Sequence, residues 1–222
     1  MSNLRAMPVV ACAGVLAACA TGQSAEQDFS HADIAHVANV KSSFGSQFKV
    51  TSMGPTGIDP RLLGPQTLPP GMTFDPADCA KAASQQVVPP GVKGNMAATT
   101  AEGDGNRFIA IAVETSEAVP VSDPAQNCQK VGFTGPGVRG LVEVVEAPQI
   151  GGVHTLGTHR VLQTTVEGTP RTGELYNYIA SFGTFVVIVT ANPLVLPDKP
   201  VAPVNTQRAR DLLTAAVAAV KG

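Results

Sequence analysis

The sequence predicts an α+β domain: an antiparallel sheet of about five to seven strands with N- and C-terminal helices packed on one face. Three observations predict this fold class. Strand-like segments follow one another with turn residues between them, whereas a doubly wound fold would alternate strands with helices. The clearest helix patterns lie near the two ends of the sequence. The chain also contains 22 glycines and 18 prolines, which favours short strands and loops over a helical bundle.

The N-terminal part of the domain is predicted to contain one helix and one strand. The helix begins at Ser30, with Asp33 three residues later as in a capping box, and is expected to end before Gly45. A strand over residues 47–53 follows. Residues 54–71 are rich in glycine and proline and are predicted to be a long loop.

The middle of the chain predicts a short helix, a hairpin and a further strand. The Asp-Pro pair at residues 75 and 76 indicates a helix start, and this helix carries Cys79 to about residue 86. The hairpin joins strands 95–101 and 107–115 through the turn 102–106. Residues 132–140 hold four glycines and are interpreted as irregular, before a strand over 138–146.

The last third predicts three consecutive strands and a terminal helix. The strands cover residues 154–166, 173–181 and 184–190, and four prolines between 193 and 203 indicate an extended crossing. Apolar residues then recur at helical spacing and predict that one face of the helix packs across the sheet. They are Ala209, Leu212, Leu213, Ala216, Val217 and Val220.

The first eighteen residues have the features of a secretory signal peptide: Arg5, then an apolar run of about 12 residues, which is shorter than a membrane span. The run ends in Leu16-Ala17-Ala18-Cys19, which resembles the bacterial lipobox. That resemblance implies lipidation of Cys19 and an anchor at the extracytoplasmic face of the cell membrane. The alternative is an ordinary signal with an incidental cysteine. Residues 19–28 are predicted to be the lipidated cysteine and a flexible tether, and 29–222 a single extracytoplasmic domain.

Two cysteines remain for the folded domain once the signal and the predicted lipidation site are set aside. Cys79 and Cys128 form an even pair in an oxidising compartment, which predicts a disulfide bond. Two free buried thiols are the alternative. A catalytic thiol would require a histidine partner, and the local sequence offers none.

The sequence contains no motif for catalysis, metal binding or nucleic-acid binding. His31 and His36 are five residues apart on a helix, and His154 and His159 would point to opposite faces of a strand, so solvated surface histidines are the better interpretation. The net charge of −2 and the scattered Lys and Arg argue against nucleic acid. Four glutamates could pair as acid and base: Glu143, Glu146, Glu167 and Glu174. Glutamates on strands near turns are usually exposed to solvent, and this is the better interpretation of all four.

The lipobox, the tether, the cysteine pair, the strands from Tyr176 to Val189, the proline-rich crossing and the terminal helix together resemble mycobacterial and related actinobacterial lipoproteins of the LprH type. More distantly, the domain resembles the extracytoplasmic sensor domain of a mycobacterial serine/threonine kinase and the PsbP-like lipoproteins. The kinase sensor domains have two disulfides, whereas this chain can form one. The resemblance therefore implies no ligand-binding residue.

The function predicted from these features is a non-catalytic binding or sensor-like module of the cell envelope. Its cleft, rimmed by residues 54–71 and 132–140, would hold a small, lipidic or protein ligand, without a cofactor. The alternatives are an envelope hydrolase, a lipid carrier with an apolar cavity, and a structural interaction protein.

Overall fold

Nine β-strands form the framework of the computed structural model, which describes residues 29–63, 71–84, 87–119, 121–166, 168–197 and 199–222. The strands pair antiparallel in one sheet, in the order β1-β3-β4-β9-β8-β7-β6-β5-β2. Their bounds are β1 (Lys49–Gly57), β2 (Thr73–Asp75), β3 (Gly94–Gly103), β4 (Asn106–Thr115), β5 (Lys130–Gly135), β6 (Val138–Val145), β7 (His154–Val166), β8 (Thr169–Phe182) and β9 (Phe185–Pro193).

The predicted antiparallel sheet is confirmed, but nine strands are present within the described residues instead of five to seven. The two strands that the sequence did not predict are β2 and β5. β2 is only three residues long and precedes a proline, so it resembled a helix start. β5 and β6 occupy the stretch 132–140 that was interpreted as irregular, and that interpretation is wrong. Gly140 is required there because a Cβ atom would collide with the Phe133 ring and the Val161 carbonyl.

The N-terminal helix is a 3-10 helix, Ile34–Ser43, and not an α-helix that begins at Ser30. Asp33 is the N-cap, and its carboxylate accepts a hydrogen bond from the backbone N–H of Ala35 at 2.7 Å. The buried residues recur every third position, which is the period of a 3-10 helix. They are Ile34, Val37 and Val40.

The C-terminal α-helix forms as predicted. It covers Thr206–Lys221, is called α2 here, and buries all six residues of the predicted apolar stripe. Together with the 3-10 helix Ile34–Ser43 it packs over β4, β9 and the second part of β8. We call this side of the sheet the helix face.

The opposite side, which we call the disulfide face, is covered differently. A 3-10 turn (Ala77–Cys79) leads into a short helix, α1 (Ala80–Ser84), and these replace the single helix predicted to begin at the Asp-Pro pair. A second 3-10 turn, Gln126–Cys128, holds the other cysteine. The predicted loop 54–71 is also corrected, because β1 continues to Gly57 and a 3-10 turn covers Pro60–Leu62. Residues 64–70 lie outside the described ranges.

These layers divide the sheet into two halves. The covered half consists of β1, β3, β4, β9 and the part of β8 that pairs with β9 (Tyr176–Phe182); it has buried clusters on both faces. The open half consists of β7, β6, β5, β2 and the first part of β8. Its disulfide face carries a smaller cluster, whereas among the described helices none covers the far strands of its helix face.

Candidate functional site

The helix face of the open half forms a groove of about 560 Å³. Strand alternation places side chains from five adjacent strands on this face, because paired residues point to the same side of the sheet. The side chains that line the groove are those of Thr73, Asp75, Thr134, Arg139, Leu141, Val161, Gln163 and Thr172, and Gly132 adds backbone only.

The floor of the groove is apolar. Leu141 pairs with Val161 on one side and with Gly132 on the other, so the three form a row across β7, β6 and β5. Leu141 and Val161 are only partly buried. Gly132 leaves space in this row. A Cβ atom built on Gly132 would lie 3.7 Å from its nearest non-neighbouring heavy atom, the carbonyl oxygen of Asp75. The missing side chain therefore deepens the groove.

One long side of the groove is polar. Arg139 pairs with Gln163 and Thr134, and the Nε–H of Arg139 donates to Oε1 of Gln163. A second cavity of about 350 Å³ adjoins the groove and shares these three residues with it. The Arg139–Gln163 pair thus lies at the boundary between the groove and the second cavity.

Beside the groove, next to Leu141 and Val161 on the same sheet face, lies an ionic cluster centred on His159, which is not among the residues that line the groove. Its ring nitrogens lie 3.0 Å from Oε1 of Glu143 and 3.3 Å from Oε2 of Glu174, and the ring stacks on Tyr176 with a centroid distance of 4.2 Å. Because carboxylates only accept, both contacts are hydrogen bonds only when both ring nitrogens carry a hydrogen. The His159 hydrogen bond lowers the pKa of the Glu143 carboxyl, and Lys130, 3.6 Å away, acts in the same direction.

The disulfide face supports the strands that form the groove. Cys79 and Cys128 are bonded, with a Cα–Cα distance of 5.3 Å, and this is the pair that the sequence predicts. From β7, Nη2 of Arg160 donates to the carbonyl of Ala83 at 2.7 Å, and its guanidinium lies 6.0 Å from the centroid of the Phe133 ring. Burial lowers the pKa of this guanidinium. The α1 segment is therefore attached both to the rear of β5 and to β7.

The structure separates the four histidines that the sequence offers. His31 and His36 are exposed near the N-terminal helix, and His154 lies 3.5 Å from Asp123 with a 40% exposed side chain. His154 and His159 do point to opposite faces of β7, as predicted. The surface interpretation of His159 is wrong, because its side chain is only 14% exposed.

The glutamates also differ from one another. Glu143 and Glu174 hold His159, Glu146 is exposed, and Glu167 lies outside the described residues. Both ring nitrogens of His159 are occupied by carboxylates, so neither is directed at a nucleophile. In the described part of the chain, no group of three or more His, Cys, Asp and Glu side chains is arranged to hold a metal ion.

Sequence reasoning did not single out Arg139, Gln163 or the threonines that line the groove. One signal was available in β6. Arg139, Leu141 and Glu143 alternate along the strand and share one face, so this face carries two charged side chains around one apolar side chain. The predicted lipidation site Cys19 and the tether lie outside the described residues. Over the ranges that the structure describes, no helix is both long enough and apolar enough to cross a membrane.

Comparison with known proteins identifies the family. Residues 33–221 match the family described as "Domain of unknown function (DUF5642)". The chain belongs to the DUF5642 family. The crystal structure of an uncharacterized protein from Mycobacterium smegmatis, the Rv0999 ortholog, is similar to this member at 64% sequence identity and a TM-score of 0.83, covering 88% of this chain and 100% of that one.

A second solved structure matches at a distance. The extracellular domain of PknH from Mycobacterium tuberculosis has 15% identity and a TM-score of 0.35, over 84% of the DUF5642 chain and 92% of the PknH domain. Among curated proteins, none matches. The predicted likeness to uncharacterised mycobacterial proteins is thus confirmed. The narrower prediction, a likeness to lipoproteins of the LprH type, is not confirmed by these matches.

Proposed function

We propose that this DUF5642 protein is a non-catalytic binding module of the cell envelope and that the groove on the open half holds a small amphiphilic molecule. One observation carries the proposal: within the described residues, half of one sheet face has no helical layer over it and forms a groove with an apolar floor and polar side chains around it. Its volume of about 560 Å³ lies within the range of roughly 300–1,000 Å³ that is usual for small-molecule sites.

The chemistry around the groove favours binding over catalysis. His159, the titratable ring nearest to the floor, is held by Glu143 and Glu174 and stacked on Tyr176, which leaves no ring nitrogen for a substrate. A hydrolase would need such a base beside a nucleophile. The polar sides also favour a ligand with a polar group over a purely apolar chain, which argues against the lipid-carrier alternative.

The cellular setting is part of the proposal. The lipobox at residues 16–19 supports lipid attachment through Cys19, at the extracytoplasmic face of the membrane. The relation to LprH-type lipoproteins is proposed on the same residues. A sensor-like role, in which ligand binding is passed to another envelope protein, is compatible with the open half because its helix face is accessible.

The proposal is tested by titration with N-phenyl-1-naphthylamine, a neutral apolar dye whose fluorescence rises in apolar sites. The full chain is used with Cys19→Ala, so that the dye cannot partition into attached acyl chains. We expect saturable binding that Gly132→Val weakens about tenfold or more, because the new side chain fills the floor of the groove.

The matched control is Gly173→Val. Gly173 also lies in a strand of the open half but points to the disulfide face, and nothing lies within 4 Å of a Cβ atom built there. Its dye affinity should equal that of the parent chain. No saturable binding, or equal binding by both variants, would contradict the proposal.

A further inference from the structure

Arg139 is the only arginine among the described residues that line the groove, and it lies where the groove meets the adjoining cavity. Its side chain is exposed and belongs to the helix face of β6. A ligand that extends from the apolar floor toward the second cavity must therefore pass the guanidinium.

The bonding of Arg139 differs from that of two other arginines, Arg61 and Arg107. Arg61 and Arg107 pair with carboxylates, Asp59 and Glu102, each at 2.7 Å. Within the described residues, Arg139 has no carboxylate partner and donates from Nε to the neutral amide oxygen of Gln163. This bond orients the guanidinium without neutralising it, and four N–H donors remain for a bidentate acceptor.

Three acidic side chains lie in or beside the groove on the helix face, those of Glu143, Glu174 and Asp75. Glu143 and Glu174 are engaged by His159, and Glu143 also by Lys130. Asp75 is exposed, two strands from Arg139 and two residues along, which corresponds to about 12 Å between the Cα atoms. Asp75 forms no ion pair with Arg139 among the described residues, and salt screens its solvent-exposed charge, so Asp75 opposes an anion at Arg139 only weakly.

We infer that the ligand of this groove is an amphiphilic oxyanion, a carboxylate, sulfonate or phosphate attached to an apolar body, and that Arg139 binds its anionic group. The apolar body lies on Leu141 and Val161, and the hydroxyl of Thr134 beside the guanidinium offers a further donor to the oxyanion. The inference rests on the proposed function and adds to it the charge of the ligand and the residue that selects it.

The test compares two dyes that share an aromatic body: 8-anilino-1-naphthalenesulfonate, which carries a sulfonate, and N-phenyl-1-naphthylamine, which does not. In the Cys19→Ala chain, Arg139→Gln should weaken the sulfonate dye about tenfold and leave the neutral dye within about twofold. Arg139→Lys keeps the charge but loses the fork geometry, so its affinity for the sulfonate dye should fall between those of the parent and the glutamine variant.

The matched control is Arg171→Gln. Arg171 pairs with Thr164 and is exposed on the disulfide face, so the variant removes the same charge from the open half but not from the groove. It should leave both dyes unchanged. Equal weakening by the two glutamine variants would show a general charge effect and overturn the inference.

Displacement distinguishes the source of the anionic group. Sodium dodecanoate and dodecyl phosphate should displace the sulfonate dye far below the concentration at which inorganic phosphate does so, because only the first two occupy the apolar floor. Equal potency of inorganic phosphate would contradict an amphiphile. If the neutral dye binds in the groove and Arg139→Gln does not alter the sulfonate dye, the inference fails while the proposed function stands; absence of binding by both dyes contradicts both.

Discussion

The two halves of the sheet present different chemistry on the same face. In β9, which α2 covers, the helix-face residues are Phe185, Val187, Val189 and Ala191, all buried. In β6, which no described helix covers, the corresponding positions are Arg139, Leu141 and Glu143, none of them fully buried. The strand geometry is therefore the same in both halves, and polar side chains take the place of apolar ones where the helical layer ends.

The disulfide face extends this contrast. Behind the covered half lies an apolar cluster that includes Met96, Ile111 and Ile188. Behind the open half, the cluster of Val131, Phe133 and Val142 is closed by a segment that the disulfide holds. The open half therefore depends on a covalent bond for part of the stability that the covered half obtains from packing.

The largest expected effect comes from reducing the bond between Cys79 and Cys128. The closed loop of about 50 residues corresponds to roughly 4 kcal/mol in the chain-entropy estimate. Urea unfolding with and without reductant measures this change in the free energy of unfolding. The double variant Cys79→Ser/Cys128→Ser is the control and should not respond to reductant. Unchanged unfolding of the reduced parent chain would show that packing alone supports the open half.

Leu213→Ala is expected to lower the free energy of unfolding by about 3 kcal/mol, since Leu213 is fully buried at the centre of the α2 stripe. Urea unfolding measures the change. Neutral-dye affinity measured under native conditions should stay that of the parent chain, because the groove lies in the other half. A loss of dye affinity without a loss of stability would contradict the division into two halves.

Thr214→Ala is the control for this variant, because Thr214 is the exposed neighbour of Leu213 on the same helix. It should change the free energy of unfolding by no more than about 0.5 kcal/mol. Arg210 on the same helix does not serve as a control, because it is half-buried and hydrogen-bonds to the Tyr178 side chain.

The sequence predicted the covered half better than the open half, for a physical reason. Burial imposes a period that can be read from residue types: the six-residue stripe of α2 is confirmed, and β4 begins and ends within one residue of its predicted bounds. The hairpin turn was also predicted, because Asp104 and Gly105 both adopt positive φ and these residue types tolerate it. The 3-10 form of Ile34–Ser43 was missed, since the capping-box signal at Ser30 and Asp33 is that of an α-helix.

The candidate site could not be predicted from local sequence patterns, because strand register brings its residues together. Glu143 lies opposite His159, and His159 lies opposite Tyr176, through pairings of residues 16 and 17 positions apart. Each residue alone resembles an ordinary surface side chain. Gly132 likewise appeared to be a loop residue, whereas its position between Leu141 and Asp75 across three strands gives it a role in the groove.

The most direct test of the account is the location of the bound dye. Amide chemical shifts of the ¹⁵N-labelled Cys19→Ala chain are followed while N-phenyl-1-naphthylamine is added, because the ring current of the dye shifts nearby amides. Binding in the groove should give the largest changes at Gly132, Leu141, Val161 and Thr172, with little change along α2. Changes centred on α2 or on β1, with the groove amides unaffected, would contradict the assignment of binding to the open half.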